Sequence, residues 1–375
     1  MVETRSPAYN IGPGEFIKEE LEARHWRQED LAAILAMSPK AVNEIIRSKQ
    51  AITIETAQKL GMAFGQSPQF WLNLDTNYRL RERRQDYAIK EVGTRADIYA
   101  HMPVGEMVKR GWLTASKPLE ALKDEVTRFW GIGELDFKFM DKGVQSKFRK
   151  SAAFADYNPY FAQTWLHMAR RCASRIKVGA YRPGAIETIG ESLHRLTMRN
   201  EGPADFIKAI NAIGIKFIVL RHLPKTYADG AAFLDGNNPV IVYTGRFDRI
   251  DHFWFTVAHE LAHLLLHFKG KDEVFIDRLD QIETTQEHAA DGKAATWLKQ
   301  REVLACFRKV TFKSRARVEE CAVRLALHPG VVVGTLQHNG ILPRANLNAL
   351  KGPVLDLLPA EVKEAQLIEL LRRAG

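Results

Sequence analysis

The sequence is poor in cysteine, has no long apolar run, and contains neither an internal repeat nor a low-complexity segment. Its three cysteines, Cys172, Cys306 and Cys321, are odd in number, lie far apart and form no Cys-x-x-Cys pair. That argues against a disulfide framework and against a thiolate-built zinc site, and the three read as reduced core thiols. No stretch approaches the roughly 18 uninterrupted apolar residues of a membrane helix. The first residues, Met1 to Pro7, have neither an apolar core nor a small-residue cleavage site, so the expectation is a cytoplasmic protein with no membrane partner.

What is present describes a packed globular chain. A hydrophobic fraction of 46% over 375 residues is ordinary for soluble domains and allows two or three of them. The formal net charge of +9 favours a polyanionic partner without specifying one. From Pro13 to about Leu80 apolar residues recur at helical spacing in short segments, which predicts a bundle of about five helices. The run Arg79 to Tyr87 reads as the exposed end of the last helix. Further on, Ile215–Leu220, Ala231–Leu234 and Val240–Tyr243 are short, β-branched or aromatic, and bounded by turn residues, which predicts three strands. The expected organisation is a helical domain over 1–84, a linker or intervening helical region over 85–154, an α+β domain over 155–345, and a tail with an amphipathic helix over 346–375.

The strands lead into Phe253-Trp-Phe-Thr-Val-Ala-His-Glu-Leu-Ala-His-Leu-Leu-Leu-His267, whose length and composition suit a buried helix. There His259 and His263 stand one turn apart on one face, so a single divalent ion, by type one zinc per chain, can be gripped from one rigid element. Glu260 projects to one side, where it can act on a water as general base and then proton shuttle. A buried His-Glu-His set is costly without partners, and a shared cation meets that need. For a third ligand Glu287, at the start of the next helical pattern, is the best candidate. His288, Asp291, Asp272, Glu273, Asp277, Asp280 and Glu283 compete with it. His267 is one turn further along, and three ligands on one straight helix cannot converge on one ion, so it reads as supporting rather than ligating.

With its continuation Glu287-x-x-Ala-Asp291, this segment resembles the ImmA/IrrE family of metallopeptidases, over roughly residues 155 to 345. The resemblance implies a zincin-like, gluzincin arrangement with His259, His263 and Glu287 as zinc ligands, Glu260 as catalytic acid/base, and a regulatory protein as substrate. The zincin precedent further implies that substrate adds as an extra strand beside an exposed strand near Gly230 to Leu234. The downstream helix departs from the family pattern: Lys293 stands where an aromatic residue is usual, and Trp297-Leu298-Lys299 replaces an apolar run that commonly ends in proline.

In the N-terminal bundle, Leu31, Ala32, Ile34 and Leu35 form one inner helix face and Val42, Ile45 and Ile46 the next. Ser38 caps the second helix and Pro39 fills its first position, where the missing N–H costs nothing. Lys40, Asn43, Glu44, Arg47 and Lys49 then point outward as on a recognition helix. Lys40 and Asn43 suit base edges, Arg47 and Lys49 base or backbone, and Gln28 a phosphate, with Ser38 counted among the DNA-facing residues. Ala36 occupies the turn position usually held by glycine. The run from Pro13 through Ile52-Thr-Ile-Glu-Thr-Ala and Ser67-Pro-Gln-Phe-Trp-Leu-Asn-Leu74 to Tyr78 resembles HigA-type antitoxins of the XRE helix-turn-helix family. That implies a homodimeric binder of double-stranded operator DNA, with Phe70, Trp71 and Leu72 in core and dimer contacts.

Together these features predict a multidomain DNA-binding regulator whose zinc-dependent endopeptidase domain cleaves a repressor, a toxin or its own chain. The alternative is a HigA-like antitoxin and autorepressor whose metal domain senses a ligand or grips a toxin partner without cutting.

Overall fold

The computed structural model describes residues 10–82, 87–115, 118–146, 156–268, 274–278, 285–309 and 312–373, with the side chains of all of these except 87–90, 143–146 and 274–278. The chain divides into two compact units, Met1–Asp97 and Ile98–Gly375.

Five helices form the body of the first unit: α1 (Pro13–Arg24), α2 (Gln28–Ile34), α3 (Pro39–Ile46), α4 (Ile54–Phe64) and α5 (Pro68–Glu82). Their starts follow from capping. The Ser38 hydroxyl accepts a hydrogen bond from the Ala41 amide at 3.1 Å, with Pro39 next in line, and Thr53 does the same for Thr56 at 3.1 Å. Leu31, Ala32, Leu35, Val42, Ile45, Ile46 and Trp71 close one core. Gly14 lets α1 approach α3, since a Cβ there would stand 1.8 Å from the Ile46 carbonyl oxygen. Ala36 adopts φ +50° in the turn, as its glycine-like position requires. Ile34 differs from expectation: it is 48% exposed, because α2 is only seven residues long and turns away from the core at its last residue. The next helix, α6 (Tyr87–His101), contains the division between the units.

The second unit is a three-layer sandwich around a four-stranded sheet. Its strands are β1 (Lys216–Val219), β2 (Ala228–Asp235), β3 (Asn238–Tyr243) and β4 (Val274–Arg278), in the order β1-β3-β2-β4. β2 and β3 form a hairpin closed beyond Asp235↔Asn238, where Gly236 takes φ +64°. β1 runs parallel to β3, and β4 antiparallel to β2. Alternate residues serve opposite cores: Phe217, Val219, Ile241 and Tyr243 face one, Ile218, Phe233, Val240 and Val242 the other. That is why these strands read as continuous apolar runs.

One helical layer comprises α7 (Val104–Lys109), α8 (Leu119–Trp130), α9 (Lys138–Ser146) and α10 (Pro159–Ala173). The other comprises α11 (Ile186–Thr197), α12 (Gly202–Ala212), α13 (Ile250–Leu266), α14 (Thr285–Trp297), α15 (Gln300–Phe307), α16 (Arg315–Leu325) and α17 (Pro329–His338). The last helix, α18 (Glu364–Arg373), returns to the first layer, where Leu367 and Ile368 are buried. Glu364 accepts from Trp112 Nε1 at 2.9 Å and from the Arg221 amide at 3.2 Å, and Arg372 donates to the Gly111 carbonyl at 3.0 Å.

Three expectations change here. No unit begins at 155 or 346: residues from Ile98 onward and α18 share the core that covers one sheet face, a role local periodicity does not reveal. A fourth strand, β4, falls within the acid-rich stretch read as possible donors. Because β4 pairs with Ala228 to Phe233 while β3 pairs with the opposite edge of β2, no extra strand can add at Gly230 to Leu234. Among the described residues no helix is long and apolar enough to cross a membrane.

Candidate functional site

α13 is buried for most of its length, so the polar residues of its second half are enclosed: His259 is 3% exposed, Glu260 0% and His263 1%. α14 packs across it and brings in Glu287. His259 Nε2 and His263 Nε2 lie 2.9 Å apart, and Glu287 Oε2 lies 3.2 Å and 3.3 Å from them respectively. Ligand atoms around a tetrahedral zinc at about 2.0–2.1 Å stand about 3.3 Å from one another. Three donors aimed at one point at these separations fit such an ion, and among the described residues this is the group that could hold a metal.

The surrounding groups keep the donors in the right state. Burial pushes the Glu287 carboxyl upward, but the neighbouring His259 and His263 rings outweigh it and hold it at about 2. Burial lowers the pKa of His263, favouring the neutral ring that can ligate. His259 Nδ1 donates to Asp291 Oδ1 at 2.8 Å, one turn beyond Glu287 on α14, which leaves Nε2 bare toward the cluster. His267 Nε2 donates to the Gln286 carbonyl at 3.0 Å, anchoring the start of α14 rather than joining the ligands. His288 is exposed outside the cluster. Asp272, Glu273, Asp280 and Glu283 lie outside the described residues, as does the side chain of Asp277.

Glu260 reaches back under β2. The space it occupies exists because residue 230 is glycine: a Cβ there would come within 2.5 Å of Glu260 Oε1 and 2.9 Å of Thr256 Cγ2. On the same face of α13, His252 and Phe255 border a cavity of about 330 Å3 that Asp229, Phe247, Leu298 and Thr335 also line. The Phe255 ring stacks 6.3 Å from that of His259, so the cavity adjoins the cluster. Lys293 takes no part in it. It pairs with Glu187 of α11 at 2.7 Å and lies over the Trp297 ring, tying α14 to its neighbour.

In the first unit, Gln28, Ser38, Lys40, Arg47 and Lys49 are exposed on and beside α3, whereas Asn43 and Glu44 are half-buried. The Ser38 hydroxyl is engaged as the cap of α3. Trp71 is wholly buried and Phe70 packs edge-on against Phe16 and Trp71.

Sequence reasoning missed the positions of Gly230 and β4, and Asp291 emerged as the carboxylate that orients His259 rather than as a ligand. A spacing of four from Glu287 was the available signal for Asp291; nothing local marks Gly230.

Two family models match the chain, a helix-turn-helix over residues 17–71 and an IrrE N-terminal-like domain over residues 213–308. Virulence-associated protein I of Dichelobacter nodosus is 42% identical over 77 residues, 20% of this chain and 71% of that protein. An uncharacterized HTH-type transcriptional regulator of Escherichia coli (strain K12) is 34% identical over 70 residues, 19% of this chain and 74% of that protein. A solved addiction module antidote protein of a HigA family from Coxiella burnetii is 34% identical with a TM-score of 0.21, covering 22% of this chain and 89% of its own.

Proposed function

We propose that this chain, which belongs to the helix-turn-helix family of regulators and carries an IrrE N-terminal-like domain, binds operator DNA and hydrolyses a peptide bond in a regulatory protein. The observation that carries the enzymatic half is the convergence of His259 Nε2, His263 Nε2 and Glu287 Oε2 beside the enclosed Glu260.

One zinc ion held by those three side chains would supply Lewis acidity, polarising a scissile carbonyl and bringing a water's pKa toward about 7. Glu260 takes the proton of the attacking water and passes it to the leaving amine. Gly230 and Thr256 fix where its carboxylate can lie. Asp291 holds the His259 ring in the tautomer that presents Nε2. The cavity bordered by Phe255 and His252 receives a side chain of the substrate.

In the first unit, Lys40, Arg47, Lys49 and Gln28 supply the exposed basic and polar groups that meet the duplex, with Asn43 reaching a base edge from its half-buried position and Ser38 holding the start of α3. Two copies, associating through this unit, would read a two-fold operator.

The test is direct. Zinc-loaded protein is incubated with the proteins encoded beside it, and cleavage is followed by mass spectrometry. Glu260→Gln should retain one zinc per chain and lose cleavage. A Glu260→Gln variant that cuts as fast as the parent overturns the assignment, and a metal-loaded parent that cuts none of these proteins under inducing conditions favours the sensor reading instead.

A further inference from the structure

Two of the three cysteines meet. Cys306 on α15 and Cys321 on α16 place their sulfur atoms 2.7 Å apart, although 15 residues separate them in sequence. Both are free thiols, Cys321 buried and Cys306 half-buried at the edge of the core. A disulfide bond is about 2.05 Å long, so joining them requires a shift of less than about 1 Å. The exposed Arg324, one turn beyond Cys321 on α16, places Nη2 2.6 Å from the Cys306 sulfur. We propose that Cys306 and Cys321 form a peroxide-reactive dithiol that closes reversibly to a disulfide joining α15 to α16.

The two sulfurs have different environments and therefore different parts. Cys306 is reachable from solvent, has the Arg324 guanidinium beside it, and is the sulfur that attacks. Burial, followed by its neighbour Cys306, pushes the Cys321 thiol up to about 12, so it stays protonated until its partner has reacted. In the first step the Cys306 thiolate attacks the outer oxygen of a hydroperoxide. An S–O bond forms, the O–O bond breaks, and the alcohol leaves with the proton that Cys306 gave up. In the second step Cys321 attacks the sulfenic sulfur, forming S–S and breaking S–O, and water leaves carrying the Cys321 proton. Two thiols and one hydroperoxide thus yield one disulfide, one alcohol and one water, with two electrons passing to the peroxide. Cys172 is fully buried and serves as the internal control.

The experiment uses the full-length reduced protein and hydrogen peroxide. Thiols counted under denaturant should fall from three to one, dithiothreitol should restore three, and peptide mapping should find Cys306 joined to Cys321. Cys321→Ser should stop at a sulfenic acid that dimedone traps on Cys306, whereas Cys306→Ser should leave Cys321 unlabelled. Arg324→Gln, which keeps both thiols, should slow closure severalfold without changing its end point, and circular dichroism of each variant checks that it is folded. Three thiols persisting in the parent, label on Cys321 instead of Cys306, or a cross-link that dithiothreitol does not open would each overturn the proposal.

Discussion

Gly230 on β2 and Glu260 on α13 share one space, since the hydrogen on the glycine Cα is all that separates its backbone from a carboxylate buried to 0% exposure. A methyl group at 230 must displace Oε1 or the Thr256 methyl. Gly230→Ala should leave metal content unchanged, because the ligand atoms sit on α13 and α14. Turnover should fall by roughly a hundredfold, the scale expected when a reacting group moves by about 1 Å. Metal analysis beside a cleavage assay checks both halves, and undiminished turnover would remove Glu260 from the reaction.

Asp291 touches the cluster only through His259. Removing it as Asp291→Ala frees the ring to rotate and to adopt the tautomer that protonates Nε2. Metal affinity should then drop by about 10–100-fold, measured by competition with a chromophoric chelator. An unchanged affinity would show that packing against Phe255 alone orients the ring.

Lys40 and Arg47 are exposed and outside the core of the first unit. The double variant Lys40→Ala, Arg47→Ala should therefore fold with an unaltered melting temperature. It should weaken operator binding and lower the slope of log affinity against log salt by up to about 2, one phosphate contact contributing about 0.9. Fluorescence anisotropy at several salt concentrations reads this out, and a slope equal to the parent's would take α3 off the backbone.

Acid should loosen the second unit at a particular residue. Burial, which outweighs the hydrogen bond from His167 Nε2 to the Phe129 carbonyl, lowers His167 from 6.5 to about 4. The folded state thus holds this ring neutral, while the unfolded chain protonates it below about 6.5. Its contribution is complete above that pH and is lost as pH falls toward 4, by up to roughly 3 kcal/mol. His167→Gln should flatten the decline in melting temperature between pH 6.5 and 4, and an equally steep decline would move the effect elsewhere.

The parts of the molecule that were legible in sequence are those whose geometry is local. Ser38 and Pro39 announce the start of α3, and the spacing of His259 and His263 sets both rings on one face of α13. Ala36 stood out as a residue in a glycine position and does take φ +50°. Glu287 was reached only as the best of several donors, because its approach depends on how α14 crosses α13. What stayed hidden is set by distant chain: Gly230 matters through a helix 30 residues on, and β4 is a five-residue strand that gains its identity by pairing with β2. Ile34 looked internal since its type matched its neighbours, but a seven-residue helix leaves no further turn to cover it.

α18 fastens onto the opening stretch of its own unit through Glu364 with Trp112 and Arg372 with Gly111. A fragment trimmed to the region that looks enzymatic in sequence would keep every metal donor and still shed this clasp along with α7, α8 and α9. α10 would stay over the sheet without the helices and the Leu367–Ile368 pair that complete its core, leaving an oily face that invites clumping. Whoever excises the second unit for study must carry the chain from Ile98 through Arg373, because the cover of the far face is sewn from both of its ends.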